Sequence, residues 1–73
     1  MALELITRRG CHLCAEAAAA LESLGVVFVE RDVDADAELL RLYDFRIPVV
    51  LRGGEVIAEG RIEAGRLRAA LAR

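Results

Sequence analysis

Apolar residues fall along the chain in short runs separated by glycines, acidic clusters and a single proline, and the spacing inside the runs changes from one to the next. Residues 2–6, Ala-Leu-Glu-Leu-Ile, read as a short strand, and Thr7-Arg8-Arg9-Gly10 as a turn leading to Cys11. From His12 to Leu24 the chain is rich in Ala and Leu, which are strong helix formers. Leu13, Ala17, Leu21 and Leu24 recur there at steps of three and four and mark one buried helical face. Gly25 stands where helices commonly end on glycine. Residues 26–31 begin β-branched and aromatic and predict a second strand. In the acidic stretch that follows, Asp34 or Asp36 can cap a short helix over Ala37–Tyr43, with Leu39, Leu40 and Tyr43 on its apolar side.

A third strand is predicted over Ile47–Leu51. Pro48 cannot donate a ladder hydrogen bond, so it belongs at the strand's start or on an edge. Gly53-Gly54 supplies a hairpin turn, and Glu55–Glu59 is the return strand. Gly60 breaks that strand. Ile62–Leu71 reads as a final helix packing through Ile62, Leu67, Ala70 and Leu71, with Gly65 weakening its first turn. The order is strand, helix, strand, helix, strand, strand, helix. The first strand–helix–strand unit should be a right-handed parallel crossover and the closing pair antiparallel. The expected fold class is therefore α/β, a βαβαββα chain with a mixed four-stranded sheet flanked by three helices.

Length and charge narrow the picture. The 73 residues make one domain, 1–73, and an apolar content of 56% can support a core without a disulfide staple. A formal net charge of −2 argues against a nucleic-acid partner, which would need a basic face. The apolar stretch Met1 to Ile6 is short, carries Glu4 and has no basic segment before it, so no secretory leader is expected. No run reaches transmembrane length. A cytoplasmic monomer with no membrane partner is the expectation.

The candidate chemistry lies in Cys11-His12-Leu13-Cys14, between a strand and a helix. The first N–H groups of a helix lack partners and carry partial positive charge, so an anion is stabilised there. Thiolates, not thiols, are the nucleophiles, and helix starts favour them. Cys11 is the candidate attacking thiolate. Cys14 returns to nearly the same helix face one turn on and can resolve a mixed disulfide formed at Cys11. Two inert structural cysteines would be the bland alternative. A metal pair is another, but one CxxC with one His offers at most three ligands, short of a closed zinc site. If protonated, His12 would favour the thiolate; otherwise it is an exposed helix residue. Arg8 and Arg9 can steer an anionic substrate and also favour the thiolate, or form a basic turn with no such role.

Thr7-Arg8-Arg9-Gly10-Cys11-His12-Leu13-Cys14, then Asp32-Val33-Asp34, then Arg46-Ile47-Pro48-Val49-Val50, together resemble a glutaredoxin-like protein of the thioredoxin superfamily. The resemblance implies a thioredoxin-like, glutaredoxin-type fold and thiol–disulfide oxidoreductase activity in cell redox homeostasis, with Cys11 and Cys14 as the redox-active disulfide. It implies a cis peptide bond before Pro48, with Pro48 facing the cysteines. It also implies that Ile47 offers its backbone N–H and C=O to an extended substrate, and that Arg8 contacts a glutathione carboxylate. This chain has His12 and Leu13 where glutaredoxins usually carry Pro and an aromatic residue, and Arg46-Ile47-Pro48 in place of Thr-Val-Pro. Their late Gly-Gly with an acidic helix cap is not reproduced; Gly60-Arg61-Ile62-Glu63 stands near that place. The expected partners are a disulfide-containing protein or a glutathione mixed disulfide, with glutathione as co-substrate or a dithiol protein as reductant. Thiolate attack itself requires no metal or organic cofactor.

A copper-chaperone-like metal carrier is the rival, since it also places a CxxC at a strand–helix junction and soft thiolates suit Cu(I). Its second helix follows two consecutive strands, whereas here a helix at 37–43 precedes the Ile47-Pro48 strand. A third reading is an iron–sulfur cluster held by Cys11 from each of two copies.

Overall fold

The computed structural model describes residues 2–73. Met1, the first residue of the stretch weighed above as a leader, lies outside them. Chain order gives strand β1 (Leu3–Thr7), helix α1 (His12–Ser23), strand β2 (Phe28–Asp32), a 3-10 turn (Val33–Ala35), helix α2 (Ala37–Tyr43), strands β3 (Val49–Arg52) and β4 (Glu55–Glu59), and helix α3 (Ala64–Leu71). The sheet runs β2-β1-β3-β4. β1 pairs parallel with β2, from Leu3 opposite Phe28 to Thr7 opposite Asp32. β3 lies antiparallel between β1 and β4. This is the expected mixed four-stranded α/β architecture with three helices.

Both sheet faces are covered, and the alternation of the central strands shows how. Leu3 and Leu5 of β1 and Val50 of β3 join Ala17 and Leu21 of α1 and Leu67 of α3 in one core. Ile6, Val49 and Leu51 point the other way and meet Leu39 and Tyr43 of α2. Successive strand side chains face opposite sides, so strands buried on both faces read as unbroken apolar runs. That is the character of Val49-Val50-Leu51.

Several boundaries differ from the sequence expectation. β2 starts at Phe28 rather than at 26, because its ladder begins where β1 begins; Val27 contributes only its C=O, accepting from the Leu3 N–H at 3.2 Å. β3 starts at Val49, after the proline that cannot donate. α3 starts at Ala64, while Ile62 reaches the core from the segment before it. Leu40 is exposed, since so short a helix as α2 buries only the Leu39 and Tyr43 side. On α1 the buried stripe is Cys14, Ala17, Ala20 and Leu21, with Leu13 and Leu24 at its margins. Asp36 caps α2, its carboxylate accepting from the Glu38 and Leu39 N–H groups at 2.9 and 3.1 Å. Asp34 is used elsewhere.

Candidate active site

The site grows from the turn that ends β1. The Cys11 N–H donates to the Arg8 C=O at 3.2 Å, closing a four-residue turn. Gly10 takes its third position with φ of 78°, the left-handed value that a type II turn requires there and that glycine supplies without strain. The turn delivers Cys11 to the head of α1 in an extended conformation. Its sulfur then accepts a hydrogen bond from the Cys14 N–H at 3.1 Å. Cys11 Sγ thus does what a Ser or Asp oxygen does at an ordinary helix N-cap, and it meets the positive end of a twelve-residue helix.

Cys14 is different in kind. It is buried in the α1 stripe, whereas Cys11 is half-exposed, and both thiols are free. Burial, followed by its hydrogen bond with Cys11, pushes the Cys14 thiol up from 9.0 to about 11, with the Arg8 backbone, and to a smaller extent the Arg8 charge, pulling the other way. Cys14 therefore stays protonated at neutral pH. An open cleft of about 370 Å³ gives access to the pair, with Arg8, Arg9, Glu30 and Asp32 among its walls.

The other candidate residues have definite places. Arg8 donates two bonds to Asp34, at 2.8 and 2.9 Å, and one to the Asp44 carboxylate at 2.6 Å. It was expected to meet a substrate carboxylate, but its guanidinium is already shared between two carboxylates of this chain. It holds Asp34 well below the usual carboxylate range and is itself held protonated. Through it, the turn before Cys11, the segment after β2 and the end of α2 are tied together. His12 points to solvent and pairs with Glu16 one turn along at 3.0 Å, rather than with either sulfur.

The Ile47–Pro48 peptide bond is cis. Ile6 pairs with Val49, so continuing the register places Pro48 beside Thr7, at the sheet end from which the Cys11 turn departs. Pro48 is fully buried, and its C=O accepts from the Gly60 N–H at 2.9 Å. The side chain of Ile47 packs on the α2-side core. Among the described residues its backbone N–H and C=O have no hydrogen-bond partner. Arg46, just before it, is anchored by two bonds to Glu59, at 2.8 and 3.0 Å, and lies 5.3 Å from the Tyr43 ring centroid. Sequence reading missed both arginine clamps. No group of three or more potential metal-ligating side chains is assembled among the described residues.

A family model described as a glutaredoxin-like domain (DUF836) matches residues 2–72. The X-ray structure of the structural-genomics target protein XcR50 from X. campestris superposes with a TM-score of 0.88 at 36% identity, covering 97% of this chain and 96% of that one. The thioredoxin-like protein BC3987 follows with a TM-score of 0.72 at 30% identity, over 93% of this chain and 97% of that one. Thioredoxin 1 from Thermosipho africanus, at 15% identity and a TM-score of 0.62 over 100% of this chain and 92% of its own, shares the fold. No curated protein matches the chain.

Proposed function

This chain belongs to the glutaredoxin-like domain family, and on that premise we propose that it is a thiol–disulfide oxidoreductase with Cys11 as nucleophile and Cys14 as resolving thiol. Family and cysteine pair together support a redox role. The observation that carries the finer reading is the 3.1 Å bond from the Cys14 N–H to the Cys11 sulfur at the head of α1.

In the proposed reaction the Cys11 thiolate attacks one sulfur of a substrate disulfide. That S–S bond breaks, a Cys11–substrate bond forms, and the departing sulfur leaves as a thiolate that takes a proton from water. Cys14 then gives up its proton and attacks Cys11 Sγ, expelling the second substrate sulfur. Two electrons have passed to the substrate, and the pair is left as a disulfide. A dithiol protein, or two glutathione molecules, returns it to the reduced form. Exposure of Cys11 and burial of Cys14 favour this order of attack, because the protonated inner thiol does not compete for the incoming disulfide. Ile47, through its open backbone groups, and Pro48 position the substrate beside Cys11. Arg8 acts mainly by fixing the Cys11 turn and by easing ionisation of Cys14 as it attacks. His12, paired with Glu16, tunes charge at the helix head only when protonated. No cofactor enters the steps. The reducing cytoplasm suits such a pair, working as a monomer. No helix of the described residues is long and apolar enough to cross a membrane.

The metal-carrier reading draws no support from the chain's path, since α2 separates β2 from β3. The test is reduction of hydroxyethyl disulfide by the wild type, with glutathione in one arm and a thioredoxin system in the other. Turnover with at least one donor is expected. No turnover with either, together with tight Cu(I) binding, overturns the proposal in favour of the carrier.

A further inference from the structure

Phe45 is 97% exposed, more than any other large apolar side chain described. A mobile loop would explain that, but its backbone is held on both sides. The Asp44 N–H donates to the Leu40 C=O at 3.1 Å, and the Asp44 carboxylate is bound by Arg8 at 2.6 Å. The Arg46 N–H donates to the Tyr43 C=O at 2.9 Å, and the Arg46 guanidinium is locked on Glu59. The ring is therefore presented on a fixed turn. Leu40 and Leu42, also exposed, share an open groove of about 490 Å³ with it. The turn adjoins the site twice: Phe45 stands two residues along the chain from the open Ile47 backbone groups, and Arg8 ties Asp44 to the turn that carries Cys11.

Charge points to the kind of chain. Asp34 and Asp44 offset the Arg8 guanidinium. The cleft's other charged walls are Glu30, Asp32 and Arg9, and Arg9 has no ion-pair partner among the described residues. Two carboxylates against one uncommitted guanidinium disfavour a small substrate with several carboxylates and suit a neutral or basic segment.

Resting on the oxidoreductase reading above, we infer that the preferred substrate is a disulfide-bonded protein rather than a glutathione disulfide, and that Phe45 docks a large apolar side chain beside the cysteine that Cys11 attacks. Covering such a side chain lowers the barrier to attack for that substrate alone.

The test compares kcat/KM for a neutral peptide disulfide with Leu next to its cysteine, the same peptide with Gly in place of Leu, and glutathione disulfide. Wild type should prefer the Leu peptide to the Gly peptide by about tenfold, the value of burying part of one such side chain. It should handle glutathione disulfide less well than the Leu peptide. Phe45→Ser should lose the Leu preference, and Phe45→Leu should keep most of it. A preference that survives in Phe45→Ser, or is absent from the wild type, overturns the docking role; equal or better use of glutathione disulfide overturns the substrate class. If the wild type reduces hydroxyethyl disulfide while these comparisons fail, only the present inference falls. If it reduces none of them, the oxidoreductase reading falls and this one with it.

Discussion

Cys11→Ser is expected to lower disulfide reduction by about a thousandfold or more, because a hydroxyl stays protonated where a thiol ionises and no other group can take its place as nucleophile. The only other sulfur nucleophile, Cys14, is buried and has its proton held up to about pH 11. The change should leave the fold intact, since a Ser oxygen can accept the same Cys14 N–H that caps α1. Cys14→Ser should behave otherwise. The first attack survives, and the reaction halts at a mixed disulfide on Cys11 until an external thiol releases it. With glutathione in excess the Cys14→Ser variant should keep a measurable fraction of wild-type rate; with a dithiol protein as donor it should lose nearly all of it. Steady-state assays of the two variants with both donors check the assignment. Similar rates for Cys11→Ser and wild type would reject Cys11 as the nucleophile.

Leu21→Ala carries the largest expected stability loss. Leu21 is fully buried and joins α1 to Leu5 of β1, Val50 of β3 and Leu67 of α3. Removing such a side chain costs about 2–5 kcal/mol, through lost burial plus the cavity left behind. A domain of this length has roughly 4–11 kcal/mol in total, at about 0.05–0.15 kcal/mol per residue. The variant should thus be marginal, with a guanidinium midpoint well below that of the wild type by circular dichroism. α1 also carries Cys14 and is capped by Cys11, so turnover should fall in proportion to the unfolded fraction. A loss under about 1 kcal/mol would mean that α1 is not seated as described.

What the sequence makes legible here is whatever repeats or whatever is local. Ala17 and Leu21 of the α1 stripe follow from a periodicity, the Val49-Val50-Leu51 strand from its apolar run, and the Asp36 cap, one of the two caps the acidic stretch offered, from a contact two or three residues away. The cysteine pair is of the same kind, since both sulfurs belong to one turn of one helix. Pairings across long separations leave no such trace. Nothing near Arg8 shows that it is shared by Asp34 and Asp44, 26 and 36 residues on, or that Arg46 reaches Glu59 across the β3–β4 hairpin. Hence the sequence offers Arg8 as a candidate contact for an anionic substrate without showing that two carboxylates of this chain already hold it. Exposure is equally hidden: Leu40 reads as part of the apolar side of its helix, yet the orientation of α2 puts it outside, and the turn after α2 leaves Phe45 outside as well. Ile62 packs in the core as expected, but from the segment before α3 rather than from the helix itself.

The most direct measurement is a redox titration of the reduced protein in glutathione buffers of graded potential. Free thiols are alkylated at each point and the protein is weighed intact. The account predicts two species only, one with both cysteines alkylated and one with neither. Their ratio should change tenfold per about 30 mV, as a two-electron couple requires. Thiols that remain alkylatable at every potential, or that are blocked one at a time by glutathione with no internal disulfide formed, would contradict it.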